Sequence, residues 1–131
     1  AERMQESARI IFEQASAMSV LTKGLLDFSH KEVRKQPTRL NEVVRRTVEF
    51  ITPQNKYERV QFDLELSNEV PEMNLDPAQI QQVLLNLFSN AADAMRGATM
   101  PLPRIVVRTR AKSAGQEVEL TVEDNGPGLP P

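Results

Sequence analysis

The sequence predicts an α+β fold, an incomplete two-layer α/β sandwich preceded by one long helix. Apolar residues recur at helical spacing over residues 2–35, 40–51 and 77–96. They alternate with polar ones over 60–66, 104–111 and 117–123, the period of half-buried strands. The order is therefore helix, helix, strand, helix, strand, strand. Helices that cover one face of a three-stranded sheet make two layers. Three strands are few and leave an edge exposed, so the sandwich reads as lacking its C-terminal part.

The chain has 131 residues, enough for one domain or one domain with an appended helix. Its hydrophobic content of 40% supplies a core, and its net charge of −2 provides no global basic field for nucleic acid. The absence of cysteine excludes disulfides and thiolate metal sites, and it fits a reducing, cytoplasmic setting. No apolar run approaches the roughly 20 residues needed to span a bilayer. A membrane would be reached only through parts of a parent protein outside this stretch. The sequence opens within a helical pattern and stops at Pro130-Pro131, after a glycine pair, and so reads as a piece of something longer.

Residues 2–35 hold no proline and one glycine, Gly24. Met4, Ala8, Ile11, Ala15, Met18, Thr22, Leu25 and Ser29 alternate spacings of four and three, a mixed heptad seam. Ile10, Ala17, Val20, Leu21 and Phe28 widen it to about half the helix surface. So broad a face suits either a bundle formed with a second copy or one amphipathic helix lying on its own domain. The helix is long for the remaining chain to cover, which favours the bundle. Lys31, Arg34, Lys35 and Arg39 complement the negative end of its dipole, and Pro37 closes it. The next helix is capped by Thr38 or Asn41 and buries Leu40, Val43, Val44, Thr47, Val48 and Ile51.

The central helix starts at Asp76-Pro77, an acceptor at the cap followed by a preset φ. Ile80, Val83, Leu84, Leu87, Phe88, Ala91 and Met95 form its apolar face. Asn86, Asn90 and Asp93 stack on another face, at i, i+4 and i+7. Two asparagines in mid-helix need a reason beyond solvation, because their amides compete with the backbone. Far downstream, a strand runs into Asp124-Asn125-Gly126-Pro127-Gly128, where glycines let backbone approach a ligand closely. Ser113-Ala114-Gly115 reads as the turn of a hairpin.

Leu84-Leu85-Asn86-Leu87-Phe88-Ser89-Asn90-Ala91-Ala92-Asp93-Ala94-Met95 closely resembles the N-box of two-component sensor histidine kinases. Asp124-Asn125-Gly126-Pro127-Gly128-Leu129 resembles their first glycine box. Leu25-Leu26-Asp27-Phe28-Ser29 resembles the end of the second helix of their dimerisation hairpin. Leu40-Asn41-Glu42-Val43-Val44 resembles the start of their ATP-binding domain. The resemblance implies the sandwich shared with gyrase, Hsp90 and mismatch-repair ATPases. It divides the chain at 1–37, part of the hairpin, and 38–131, the N-terminal part of the ATP-binding domain without lid or second glycine box. It implies ATP and Mg²⁺ as cofactors, homodimerisation through the N-terminal helix, and a response-regulator receiver domain as partner.

On the same resemblance Asn90 coordinates Mg²⁺ and Asn86 lies beside the phosphates. Asp124 accepts from the adenine amino group, and Gly126 and Gly128 pass close to the base. Asp93 is a pocket wall or a cap to a neighbouring loop. Hydrolytic relatives carry a water-activating glutamate where this chain has Asn86, and an amide cannot act as a base near neutral pH. That favours a kinase over a hydrolytic ATPase, while intact Asn90, Asp124, Gly126 and Gly128 count against the other alternative, a non-catalytic dimerisation scaffold. The phosphoacceptor histidine is expected before Ala1. The one histidine, His30, is followed by Lys31 where the family's acceptor has an acid, so it is not the acceptor. The 131 residues alone are expected to be inactive and to bind ATP weakly.

Overall fold

The computed structural model describes residues 6–13, 19–22, 34–96 and 102–125. Strands β1 (Glu6–Glu13) and β2 (Ser19–Thr22) come first, followed by a short β3 (Gln36–Thr38). Helix α1 (Leu40–Ile51), strand β4 (Gln61–Leu66), a short β5 (Met73–Leu75) and helix α2 (Pro77–Arg96) follow. Strands β6 (Arg104–Lys112) and β7 (Glu117–Asp124) end the described chain. The main sheet runs β2-β1-β7-β6-β4, and β3 pairs with β5 in a second sheet of two strands. Both helices cover one face of the main sheet, an α+β arrangement in two layers.

Alternation decides which strand residues meet the helices. Ile105 and Val107 of β6, and Val118, Leu120 and Val122 of β7, are buried in the core with the apolar face of α1. All six residues expected on that face of α1 are buried. The expected caps act elsewhere. Arg39 occupies the N-cap without a side-chain bond. The Thr38 hydroxyl instead donates toward Gln36 and Leu75 carbonyls, and the Asn41 amide donates to the Ser67 carbonyl at 2.8 Å. Thr38 is held in β3, whose pairing with β5 also places Gln36 and Pro37 with the sandwich.

The β6–β7 hairpin turns where expected. Ser113, Ala114 and Gly115 all take positive φ, the last at 88°. That succession closes a tight connection between two long strands and suits glycine at its end.

The long helix expected over residues 2–35 is corrected where the structure describes that stretch: Glu6–Glu13 and Ser19–Thr22 are strands. The remainder of it, with Leu25 to Ser29 and His30, lies outside the described residues. The cause is the edge of β7, whose backbone groups require a partner. β1 supplies one over its whole length, antiparallel, with Ile10 opposite Leu120 and Phe12 opposite Val118. Ile10 and Phe12, two residues apart, are fully buried, whereas the seam residue Ile11 lies on the other face and is half-buried. A period of two therefore wins over the heptad, because it buries an aromatic and closes a hydrogen-bonded edge together.

The outer sheet face is a lattice of charge. Arg104 pairs with Asp63 at 3.4 Å, and Arg108 reaches Glu65 at 3.4 Å and Glu123 at 3.0 Å. Glu119 accepts from Lys112 at 2.8 Å and stands 3.5 Å from Arg9 of β1. The Lys112 hydrogen bond holds the Glu119 carboxyl below its ordinary value of 4.5, against the opposing effect of burial. A depressed folded-state pKa contributes stability above the unfolded value and loses it as pH falls through the folded one. Glu119→Gln is therefore expected to lower the urea midpoint at pH 7 and to narrow its gap from wild type at pH 3. Equal gaps at both pH values would refute the linkage.

Candidate functional site

The site is built on α2, and its start is as the sequence dictates. Asp76 Oδ1 accepts from the backbone of Ala78 at 3.0 Å and Gln79 at 3.3 Å, capping the donors left unpaired in the first turn. Its Oδ2 also accepts from Arg34 N at 3.0 Å, which ties the incoming chain to the helix start. Ile80, Val83, Leu84, Phe88, Ala91, Ala92 and Met95 are buried, and Leu87 is half-buried. With that face fixed inward, Asn86, Asn90 and Asp93 are left exposed along one ridge.

A turn of 3-10 helix, Asn55–Tyr57, meets this ridge. Lys56 Nζ donates to Ser89 Oγ at 2.6 Å and pairs with Asp93 at 3.0 Å. Tyr57 anchors the turn: it is 5% exposed, with its ring 6.0 Å from that of Phe62. Phe62 in turn meets Phe88 of α2 edge-to-face at 5.3 Å. Burial pushes the Tyr57 phenol up, opposed by neighbouring Lys56 and a hydrogen bond with Ser89.

The second part of the site ends β7. Asp124 follows the inward alternation of Val118, Leu120 and Val122 and is only 3% exposed. Asn125 fixes the chain just beyond it. Its Nδ2 donates to the Leu102 carbonyl at 3.0 Å, and its Oδ1 accepts from Arg104 N at 2.8 Å. Gly126 and Gly128 lie outside the described residues. The structure thus brings Asn86, Asn90 and Asp93 together on one ridge and places Asp124 on a separate element, at a strand end.

Lys56, Ser89 and Asn125 were not legible as site residues in the sequence. Lys56 lies in a turn remote in sequence from α2. Its one signal was Tyr57, an aromatic residue just ahead of a strand. Asn125 had a clearer one, since a side chain of this type before glycine commonly bonds nearby backbone.

Chemically, the ridge offers amide oxygens, hard neutral donors, beside one carboxylate. Among the described residues no group of three or more His, Cys, Asp or Glu side chains could hold a metal ion. No helix among them is long and apolar enough to cross a membrane.

Residues 75–131, which contain α2, β6 and β7, match the family of histidine kinase-, DNA gyrase B-, and HSP90-like ATPases. The chain is 31% identical to the sensory histidine kinase/phosphatase NtrB of Salmonella typhimurium, over 98% of its own length and 38% of the relative's. It is 29% identical to the alginate biosynthesis sensor protein KinB of Pseudomonas aeruginosa, over 98% of the chain and 21% of that protein. It is also 29% identical to the signal transduction histidine-protein kinase AtoS of Escherichia coli, over 95% of the chain and 20% of that protein. The chain therefore spans between 20% and 38% of the length of these relatives. Residues 75–131 therefore belong to this ATPase family, and the relatives that the chain resembles over nearly its whole length are sensor histidine kinases.

Proposed function

We propose that the full-length protein carrying this chain binds Mg-ATP and transfers the γ-phosphoryl group to a histidine, and from there to a response-regulator aspartate. The observation that carries this is the placement of Asn86 and Asn90 on an exposed ridge of α2, while Asp124 is buried at the end of β7. Asp124, with Gly126 and Gly128, would receive the adenine, and Asn86 would lie beside the phosphates. Asn90 would hold Mg²⁺. A single amide oxygen suits that ion, which takes much of its shell from water and substrate phosphates rather than from a protein cage. When bound, the ion neutralises charge on the phosphates. The chain's residues orient the nucleotide, and Asn86, an amide, holds no water-activating base at its position.

Localisation in the cytoplasm, with any membrane anchor elsewhere in the protein, belongs to the same proposal. So does homodimerisation of the full-length protein, without the helix expected over residues 2–35, since Glu6–Glu13 and Ser19–Thr22 are held as strands. The 131 residues by themselves are proposed to be inactive in phosphotransfer, since His30 is their one histidine.

Autophosphorylation of the full-length protein tests the proposal. Asn90→Ala is expected to lower Mg²⁺-dependent phosphohistidine by at least about 100-fold, the scale of removing one preorganised polar group. Steady release of free phosphate without phosphohistidine would overturn it in favour of a hydrolytic ATPase. His30→Gln should leave autophosphorylation largely intact. Loss of phosphohistidine in that variant, with ATP binding retained, would identify His30 as the acceptor instead.

A further inference from the structure

Lys56 is the feature that the assigned roles leave unused. Its ammonium reaches α2 on the ridge itself: Ser89 directly precedes Asn90, and Asp93 is one turn beyond Asn90 and two beyond Asn86 on the same face. Two neutral amides and a carboxylate would receive a polyanion poorly. A cation on the same ridge changes that balance. We propose that Lys56 is a phosphate-binding residue of the nucleotide site, held by Asp93 until a nucleoside di- or triphosphate takes it over. The inference rests on the adenine-nucleotide reading of α2 and β7 given above.

Position and energetics both support it. The backbone of Lys56 is fixed by its neighbour, since buried Tyr57 packs against Phe62, which meets Phe88, the residue just before Ser89, edge-to-face. The ammonium is therefore delivered to one place on α2 by the core, whatever its side-chain partner. The partner itself is weakly held. The two side chains of the Lys56–Asp93 pair are 30% and 58% exposed, and a pair so open to solvent contributes little. Phosphate oxygens bearing several charges compete well against one solvated carboxylate. Exchanging Asp93 for phosphate also costs the lysine no change of backbone.

Calorimetric titration of the full-length protein with ATP, ADP and adenosine, in the presence of Mg²⁺, tests the proposal. Lys56→Met is expected to weaken ATP and ADP about tenfold or more, the scale of one charge-assisted hydrogen bond, and to leave adenosine unchanged. Lys56→Arg should recover most of the loss. Asp93→Asn, which releases the lysine, should tighten ATP rather than weaken it. Wild-type affinity for ATP in Lys56→Met would overturn the assignment. Parallel losses of ATP and adenosine, or a loss in Asp93→Asn matching that of Lys56→Met, would do so too, because they mark a structural tether. A wild-type protein that binds no adenine nucleotide at all would instead remove the underlying site reading, and this inference with it.

Discussion

Asp124→Ala is expected to lower adenine nucleotide affinity of the full-length protein about ten- to a hundredfold while leaving the fold in place. The magnitude follows from a hydrogen bond to a charged group, roughly 1.5–3 kcal/mol. The carboxylate is buried at 3% exposure, so a donor from adenine would meet it with little competition from water. The fold should survive, because the backbone of residue 124 remains paired across both neighbouring strands, with Glu6 on one side and Ile105 on the other. Asn125 would still bind the chain to Leu102 and Arg104. The variant should therefore differ from Asn90→Ala in kind, failing at nucleotide binding rather than at the Mg²⁺-dependent step. Fluorescent-nucleotide titration and circular dichroism check both halves. Unaltered affinity would remove Asp124 from the site.

Phe88→Ala is expected to be the most damaging single change to stability. Its ring is completely buried and lies where α2 meets Phe62 of β4, the contact that also carries Tyr57. Truncating a buried phenylalanine costs about 3–5 kcal/mol through lost transfer energy and the remaining cavity. Domains of this size have only about 5–15 kcal/mol in total. A fall in melting temperature on the order of 10–20 °C should follow. Phe50, 60% exposed on α1, supplies the control, and Phe50→Ala should shift the midpoint little. Comparable shifts in the two variants would mean that Phe88 does not centre the core.

The elements that were legible in the sequence are those whose local signals agree with their burial. Asp76-Pro77 starts α2 because its carboxylate and its ring satisfy local requirements that no distant residue can change. The six inward-facing residues of α1 and the turn at Ser113-Ala114-Gly115 are equally local. The Asn86, Asn90 and Asp93 ridge was readable because helical spacing alone places the three together. What escaped was decided across the chain. Ile10 and Phe12 carry a strand period inside a heptad pattern, and only the presence of the β7 edge selects between them. β3 and β5 have three residues each, too few to display a period. Thr38 looked like a cap, whose oxygen would accept from the first turn, but its hydroxyl instead donates toward the Gln36 carbonyl and, with β5 beside it, the Leu75 carbonyl. Lys56 reaches its partners only after the aromatic contacts have assembled.

The pairing of β1 with β7 has a kinetic consequence. Ile10 meets Leu120 across nearly the whole chain, whereas β6 and β7 are joined by a short turn. The hairpin can form early, but β1 must wait for a large loop to close, at an entropic cost that grows with loop length. Late-formed contacts bear chiefly on unfolding speed, so weakening β1 should accelerate unfolding and barely slow refolding. Amide exchange should show the same order in space, with β1 opening at lower free energy than the β6–β7 hairpin. The edge that β1 covers would then be available from time to time in the native population, without global unfolding.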